Sequence, residues 1–216
     1  DRRQRQMCIR DRKYTVNIYE VSTEKDTKLR AFAAVTFGDC FKVTGITVRE
    51  GKAGNLYVSM PQYPTGERGE DNKLIYSDVF FPKTTDFSTL LRGEILEAYQ
   101  NREDGRNEVD LEYGDTGFEY YVQVVNNKDL SCATKAFARL VIDDVFVVNQ
   151  ISVKRSFAGN NFVAMPSQRR MIDGKAEYQD IAYPVTKDFH DTLYGDIMKQ
   201  YEQNLDKQRT AKEKAR

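Results

Sequence analysis

Few groups in this chain could do covalent chemistry. His190 is its only histidine, and no Cys or second His stands at a metal-ligand interval from it, which argues against a metal site and against a Ser-His-Asp arrangement. Two carboxylate pairs, Asp78 with Asp86 and Asp180 with Asp188, recur at one spacing. Paired carboxylates can serve as general acid and base, but one member of each pair is an expected helix cap and the other lies within or beside a strand. No glycine-rich phosphate loop or activated nucleophile accompanies them. The expectation is a non-enzyme with no catalytic residues, no metal, no cofactor and no small-molecule substrate.

The cationic groups carry more. Gln168, Arg169, Arg170 and Lys175 cluster in sequence, with Lys154 and Arg155 as neighbours. Guanidinium and ammonium groups neutralise phosphates and release counterions, and Arg can fork onto guanine edges. An ordinary solvated loop would show the same residues. A thinner set, Arg49, Lys52, Arg68 and Lys73, lies earlier. The 13 Tyr and 12 Phe could build a stacking platform for single strands. Most sit in the apolar phase of strands, so Phe32, Phe41, Phe137 and Phe146 are expected in the core. Met60 and Met165, each before proline, read as packing residues.

These side chains must be positioned by a chain of 216 residues, 40% hydrophobic and 31% charged, a composition that supports a real core and excludes disorder. No apolar run approaches a membrane span and no secretory leader is evident, so a cytoplasmic location without membrane contact is expected. Cys8, Cys40 and Cys132 lack the pairing of a zinc site or disulfide scaffold. The formal charge of zero is unevenly spread. Residues 13–102 carry 12 basic and 12 acidic side chains and residues 118–204 carry 10 and 11, while 103–117 hold six acidic residues against Arg106. Residues 1–12 and 205–216 each come to +3.

The strongest pattern is internal. Ala31 to Pro61 superposes without a gap on Ala136 to Pro166. Ala31-Phe32-Ala33 answers Ala136-Phe137-Ala138, Asp39-x-Phe41-x-Val43 answers Asp144-x-Phe146-x-Val148, and Met60-Pro61 answers Met165-Pro166. Further on, Pro82-x-Thr84-x-Asp86-Phe87 matches Pro184-x-Thr186-x-Asp188-Phe189. A period of about 105 residues is too long for a solenoid repeat and fits two domain-sized copies.

Within each copy the pattern is mostly strand: Tyr14 to Val21 and Tyr120 to Val125, then Leu29 to Phe37 and Thr134 to Ile142. Gly38-Asp39 and Asp143-Asp144 have the spacing of a two-residue hairpin. A change of phase within the next strand predicts a bulge near Thr44-Gly45 and Asn149-Gln150. Pro61 and Pro166 should end a strand or mark an edge. Each copy closes on a helix, capped by Asp86 or Asp188, with Thr84 and Thr186 as alternatives, and the second helix runs on into a charged tail. Lys207, Arg209, Lys212, Lys214 and Arg216 in that tail could add phosphate affinity or simply solubilise it.

Phe162-Val163-Ala164-Met165-Pro166-Ser167-Gln168-Arg169-Arg170, then Asp173-Gly174, then Asp180-Ile181-Ala182-Tyr183-Pro184-Val185 and a closing helix, closely resemble the SpoVG septation-protein family. Each copy is similar to one family protomer. The resemblance implies a small bacterial cytoplasmic regulator, linked to asymmetric septation and sporulation, that binds DNA and RNA as a homodimer; here both protomers would lie on one chain. Departures are local. Gln62 to Lys73 in the first copy is a longer and more acidic loop than the family's basic stretch, and the family's histidine before the second proline is Phe81 in one copy and Tyr183 in the other. These changes favour the second copy as the nucleic-acid reader.

The expected architecture is therefore α+β: two tandem SpoVG-like units, each an antiparallel sheet of four or five strands with a C-terminal helix, pairing as a pseudo-two-fold intramolecular dimer, with exchange of helices between copies compatible with the pattern. Expected boundaries are 1–12 for a non-native or disordered leader, 13–102 for the first domain, 103–117 for an acidic linker, 118–204 for the second domain and 205–216 for the tail. The expected function is binding of DNA and/or RNA through Gln168, Arg169, Arg170, Lys175, Lys154 and Arg155, with Arg68 and Lys73 contributing less. The rival is a protein-interaction module that has lost nucleic-acid binding.

Overall fold

The computed structural model describes residues 13–21, 28–101, 108–112, 118–129, 131–172 and 175–214, with backbone alone at 13, 108–112, 170–172 and 211–214. The expected leader, residues 1–12, and parts of the linker lie outside the described residues.

In the first copy, β1 (Lys13–Glu20), β2 (Leu29–Phe37), β3 (Phe41–Glu50) and β4 (Leu56–Ser59) form an antiparallel meander. The second copy repeats it with β9 (Tyr120–Asn126), β10 (Thr134–Ile142), β11 (Phe146–Arg155) and β12 (Asn161–Ala164). Each meander ends just before its Met-Pro pair, as the missing proline N–H requires. The stretches after those prolines are not loops. Each is a separate two-stranded hairpin: β5 (Gln62–Arg68) with β6 (Leu74–Asp78), and β13 (Ser167–Ile172) with β14 (Lys175–Asp180).

Helix α1 (Thr85–Gln100) packs on β1, β3 and β4 of its own copy, and α2 (Lys187–Lys214) on β9 and β12 of its own. Phe87, Leu91, Ile95 and Ala98 line the buried stripe of α1, and Phe189, Leu193, Ile197 and Tyr201 that of α2. Burial of each large side chain contributes on the order of 1.5–3 kcal/mol. The caps are the threonines: Thr84 Oγ1 accepts from the Phe87 N–H and Thr186 Oγ1 from that of Phe189, both at 3.3 Å. Asp86 and Asp188 lie two residues past these caps, within the first turn, where a carboxylate faces the positive end of the helix dipole.

What passes between the copies is a strand. β7 (Phe80–Pro82), from the first copy, pairs with β11 of the second, and β15 (Ala182–Pro184), from the second, pairs with β3 of the first. The exchange is reciprocal and uses the irregularities of the receiving strands. Opposite Ala33 and Val35, β3 spends one extra residue at Thr44-Gly45, and β11 does the same at Asn149-Gln150, the bulges foreseen from the change of phase. Gly45 (φ 78°) and Gln150 (φ 63°) take the left-handed conformation that a bulge of this kind needs. The bulged N–H groups are thereby aimed at the other copy: Thr44 N–H donates to the Ile181 carbonyl and Asn149 N–H to that of Val79, both at 2.7 Å.

The hairpin turns contribute too. Gly38-Asp39 and Asp143-Asp144 all have positive φ, and the turns close from Cys40 N–H to Phe37 O (3.1 Å) and from Val145 N–H to Ile142 O (3.0 Å). The ladders, however, restart at Phe37 opposite Phe41 and Ile142 opposite Phe146, so Cys40 and Val145 are a third loop residue, not foreseen in a two-residue reading. Their carbonyls receive the N–H groups of Val185 (2.8 Å) and Lys83 (2.6 Å), one residue past each exchanged strand. Gly38 meets a second constraint: a β-carbon there would stand 2.9 Å from the Phe118 ring.

Both copies consequently share one core. Phe146 of the second copy packs against Phe37, Phe80 and Phe87 of the first, with ring centroids 4.5, 5.8 and 6.4 Å away, and Phe41 of the first packs on Phe189 of the second at 6.2 Å.

Exposed sheet edges invite unwanted pairing, and the copies cover theirs differently. The linker residues β8 (Glu108–Glu112), read from sequence as linker alone, add a strand beside β1. On the equivalent β9, the C-terminal half of α2 takes that place: Asn204 Nδ2 donates to the Val124 carbonyl at 2.8 Å and Asn126 Nδ2 to the Tyr201 carbonyl at 3.2 Å. No helix among the described residues is long and apolar enough to cross a membrane.

Candidate functional site

The cationic candidates of the second copy do not form one cluster. Gln168, Arg169, Arg170 and Lys175 lie on the β13–β14 hairpin, where Gln168 is opposite Gln179, Arg169 opposite Tyr178, Arg170 opposite Glu177 and Lys175 opposite Ile172. Side chains of a strand alternate between faces, so Arg169 shares a face with Tyr178, while Gln168 and Lys175 belong to the other. The Arg170 side chain lies outside the described residues. Gln168 is half-buried, its amide nitrogen 4.0 Å from where a Gly45 β-carbon would stand, so it is engaged with the first copy. Arg169, Lys175 and Tyr178 are exposed, Tyr178 at 75%.

Lys154 and Arg155, neighbours in sequence, also part company. Lys154 pairs across β12 with Phe162 and lines a cleft of about 270 Å³ together with Phe137, Gln150 and Ser152. Tyr63 at the base of the first copy's hairpin and Pro166 at the base of the second complete this cleft, so both copies build it. Arg155 lies instead on a separate cavity against α2, and its Nε donates to the Gly159 carbonyl at 3.0 Å.

In the first copy the cations are occupied locally. Arg68 Nη1 donates to the Asn72 carbonyl at 2.7 Å, and Lys73 Nζ contacts Asp71 at 2.7 Å. The hydrogen bonds from Lys73 hold the Asp71 carboxyl below its ordinary range. Glu67 and Glu70 are exposed beside them, so this hairpin presents mixed charge to solvent. Arg49 and Lys52 are exposed at the far end of the sheet and in its following turn.

The aromatic expectation divides. Phe41 and Phe146 are fully buried, Phe32 is half-buried, and Phe137 is 51% exposed. The reason is phase: in Ala136-Phe137-Ala138 the alanines, buried at 0% and 5%, take the core-facing positions, which puts Phe137 on the opposite face. Phe137 is opposite Val125 on one side and Ser152 on the other, and Phe162 (45% exposed) is opposite Lys154. The first copy repeats the layout, with Phe32 opposite Tyr19 and Thr47, and Arg49 opposite Tyr57. An outward sheet face carrying aromatic groups around a cation is thus written twice, and the alternating alanines were the signal for it.

The remaining singled-out groups are structural in their contacts. His190 stacks on Tyr194 (centroids 3.9 Å apart) and touches Asp191 through Nδ1 at 3.0 Å. Asp78 accepts from Gln62 at 2.9 Å, and burial pushes the Asp180 carboxyl above its ordinary range. Among the described residues no group of His, Cys, Asp or Glu could hold a metal ion. Met60 and Met165 are buried in the shared core.

Two tandem α+β units completing each other's sheets define a fused pair of protomers. The model of the SpoVG family matches residues 12–101 and again 119–203, and the chain belongs to that family, which it carries as two copies. Among individual relatives it is similar to the SpoVG protein of Borreliella afzelii (strain PKo), 31% identical over 80 residues, which are 37% of this chain and 78% of that protein. It is also similar to SpoVG 2 of Listeria monocytogenes serotype 4b (strain F2365), 38% identical over 36% of this chain and 72% of the other. The Staphylococcus carnosus (strain TM300) protein is 39% identical over 32% and 61%.

Proposed function

We propose that this chain is a non-catalytic, cytoplasmic nucleic-acid-binding regulator serving cell septation or sporulation, and that it grips single-stranded DNA or RNA on the outward face of its second sheet. The septation role rests on the relatives, whose provisional name is septation protein SpoVG. One observation carries the binding mode: exposed Phe137 and Phe162 flank Lys154 on one face. Each base has a π-face that an exposed aromatic can stack on, and a neighbouring ammonium neutralises the phosphate between two bases. Arg169 beside Tyr178 on the hairpin offers the same combination a second time.

Fluorescence anisotropy with the full chain, labelled oligo(dT) or oligo(U), a matched duplex and a salt series tests this. Affinity for the single strands should fall steeply with salt, and Phe137→Ser with Phe162→Ser should weaken it by about 1–3 kcal/mol per lost stack. Arg169→Ala should reduce the salt slope by about one ion. Absence of binding at low salt would overturn the reading. It would favour the other one, a protein-interaction surface, for which the near-neutral copies and the exposed Val125–Phe137 pair speak. Such a complex would change little with salt.

A further inference from the structure

The two bulges are equivalent in backbone and different in content. Gly45 of the first copy and Gln150 of the second, at matching positions of the repeat, both hold a positive φ, 78° and 63°. Glycine adopts that conformation freely, whereas a glutamine there is strained. Among the described residues the other non-glycines of positive φ are Asp39, Asn72, Asp143 and Asp144, types that tolerate it. Strain of this kind gathers where a side chain serves a site. The residues that face the bulges differ as well. A β-carbon on Gly45 would stand 4.0 Å from the Gln168 amide nitrogen, so an amide reaches the first bulge from the second copy's hairpin. The counterpart of Gln168 on the first copy's hairpin is Tyr63, which lines one cleft with Gln150. The second copy thus carries the amide on the bulge itself and meets an aromatic ring on the hairpin.

That cleft, of about 270 Å³, brings together groups that suit a nucleobase. Phe137 from β10 and Tyr63 from β5 supply aromatic surface from two different copies, and Gln150 supplies a donor and an acceptor side by side. Ser152 and Lys154 continue the wall along β11, and Lys154 is opposite Phe162 across β12. Phe137 and Lys154 therefore belong both to the cleft and to the outward sheet face, and a strand held on that face passes the mouth of the cleft. Its volume lies at the small end of ligand sites, about 300 Å³ and upward, which suits one base rather than a run of them.

We propose that Gln150 makes this cleft selective for adenine: one base of a bound single strand enters beside Tyr63 and Phe137, and Gln150 reads its edge. This rests on the stacking face proposed above. Glutamine matches adenine through Oε1, which accepts from the N6 amino group, and Nε2, which donates to N7. The Watson–Crick edge, N6 with N1, offers the same pairing of donor and acceptor, so adenine can be read from either edge. Guanine presents two acceptors, N7 and O6, on the first of these edges, and Oε1 would face one of them with no proton between. Pyrimidines offer less ring area to stack.

Fluorescence anisotropy of the full chain with labelled oligo(dT), and with the same strand bearing one central adenine, tests this. The adenine should tighten binding about tenfold, the scale of one bidentate amide–base pair. A central guanine or cytosine should gain less. Gln150→Gly and Gln150→Met should each bring the adenine-bearing strand and plain oligo(dT) to equal affinity. The two variants separate reading from folding: glycine relieves the backbone strain and should raise the thermal midpoint, whereas methionine keeps the length and the strain but has no amide. Equal affinity of the wild-type chain for the two strands, an equal gain from guanine, or an adenine gain that survives either substitution would overturn this proposal and leave the stacking face standing. If no strand binds at low salt, the stacking face falls and the adenine site with it.

Discussion

Tyr14, on the first strand of the first copy, donates its hydroxyl to Asp143 Oδ2 at 2.7 Å, reaching the hairpin turn of the second copy 129 residues away. The same carboxylate accepts the Glu119 N–H through Oδ1 at 2.7 Å, so one aspartate ties the first copy, the entry to the second copy and its own turn. At the equivalent turn the first copy has Gly38, and Tyr120, the counterpart of Tyr14, bonds Asp196 on α2 instead. The two-fold relation is thus kept by the backbone and relaxed in the side chains.

Tyr14→Phe should cost about 1 to 2 kcal/mol, the value of a partly buried hydrogen bond to a carboxylate, without changing oligonucleotide affinity. Urea denaturation followed by far-ultraviolet circular dichroism gives the difference. Unfolding should stay a single transition, because Phe146 and Phe41 make the two halves one core.

The bulges offer a second comparison. Gly45 and Gln150 share a left-handed backbone that only glycine adopts freely, and no atom lies closer than 3.8 Å to a β-carbon built on Gly45. Gly45→Gln should therefore cost about 1 to 2 kcal/mol through backbone conformation alone, and Gln150→Gly should stabilise the chain by up to about 1 kcal/mol. Opposite signs in denaturant midpoints are the expected outcome, and equal signs would remove the bulge strain from the account.

Asp180 links stability to pH. Partial burial raises its carboxyl above the ordinary range, and its charge adds to the burial that raises the Tyr194 hydroxyl. The folded state therefore holds this proton more tightly than the unfolded chain does. Its contribution is fully present below the ordinary carboxylate pKa and is lost as pH rises through the raised folded value. Asp180→Asn cannot titrate, so its stability relative to wild type should rise between about pH 3 and about pH 7. Denaturation curves across that range decide it.

Much of this was legible from residue patterns. The offset between Phe41-x-Val43 and Ile46-x-Val48 located the bulge, and the four-residue spacing of Leu193, Ile197 and Tyr201 located the buried helix stripe, to which the structure adds Phe189. The exchange of Phe80–Pro82 and Ala182–Pro184 was not legible, since a three-residue strand has too little pattern to say which sheet it joins. Pro64, Gly66 and Gly69 interrupt the period-two signal and concealed the first hairpin. Phe137 was misplaced because its apolar character outweighed its phase, although Ala136 and Ala138 already occupied the inward positions. The cavity beside Arg155 could not be read from local sequence because its far wall comes from a helix more than 40 residues downstream.

Strand exchange within one chain has a consequence for the company this protein keeps. Protomers that assemble from solution can swap partners, so related proteins made in the same cell would blend into mixed pairs in proportion to their abundance. Here each receiving strand is already filled by a segment tethered at millimolar effective concentration, and an outsider would have to displace it. Separate members of the family should therefore exchange poorly into the fused chain, whose receiving strands are filled by its own two copies.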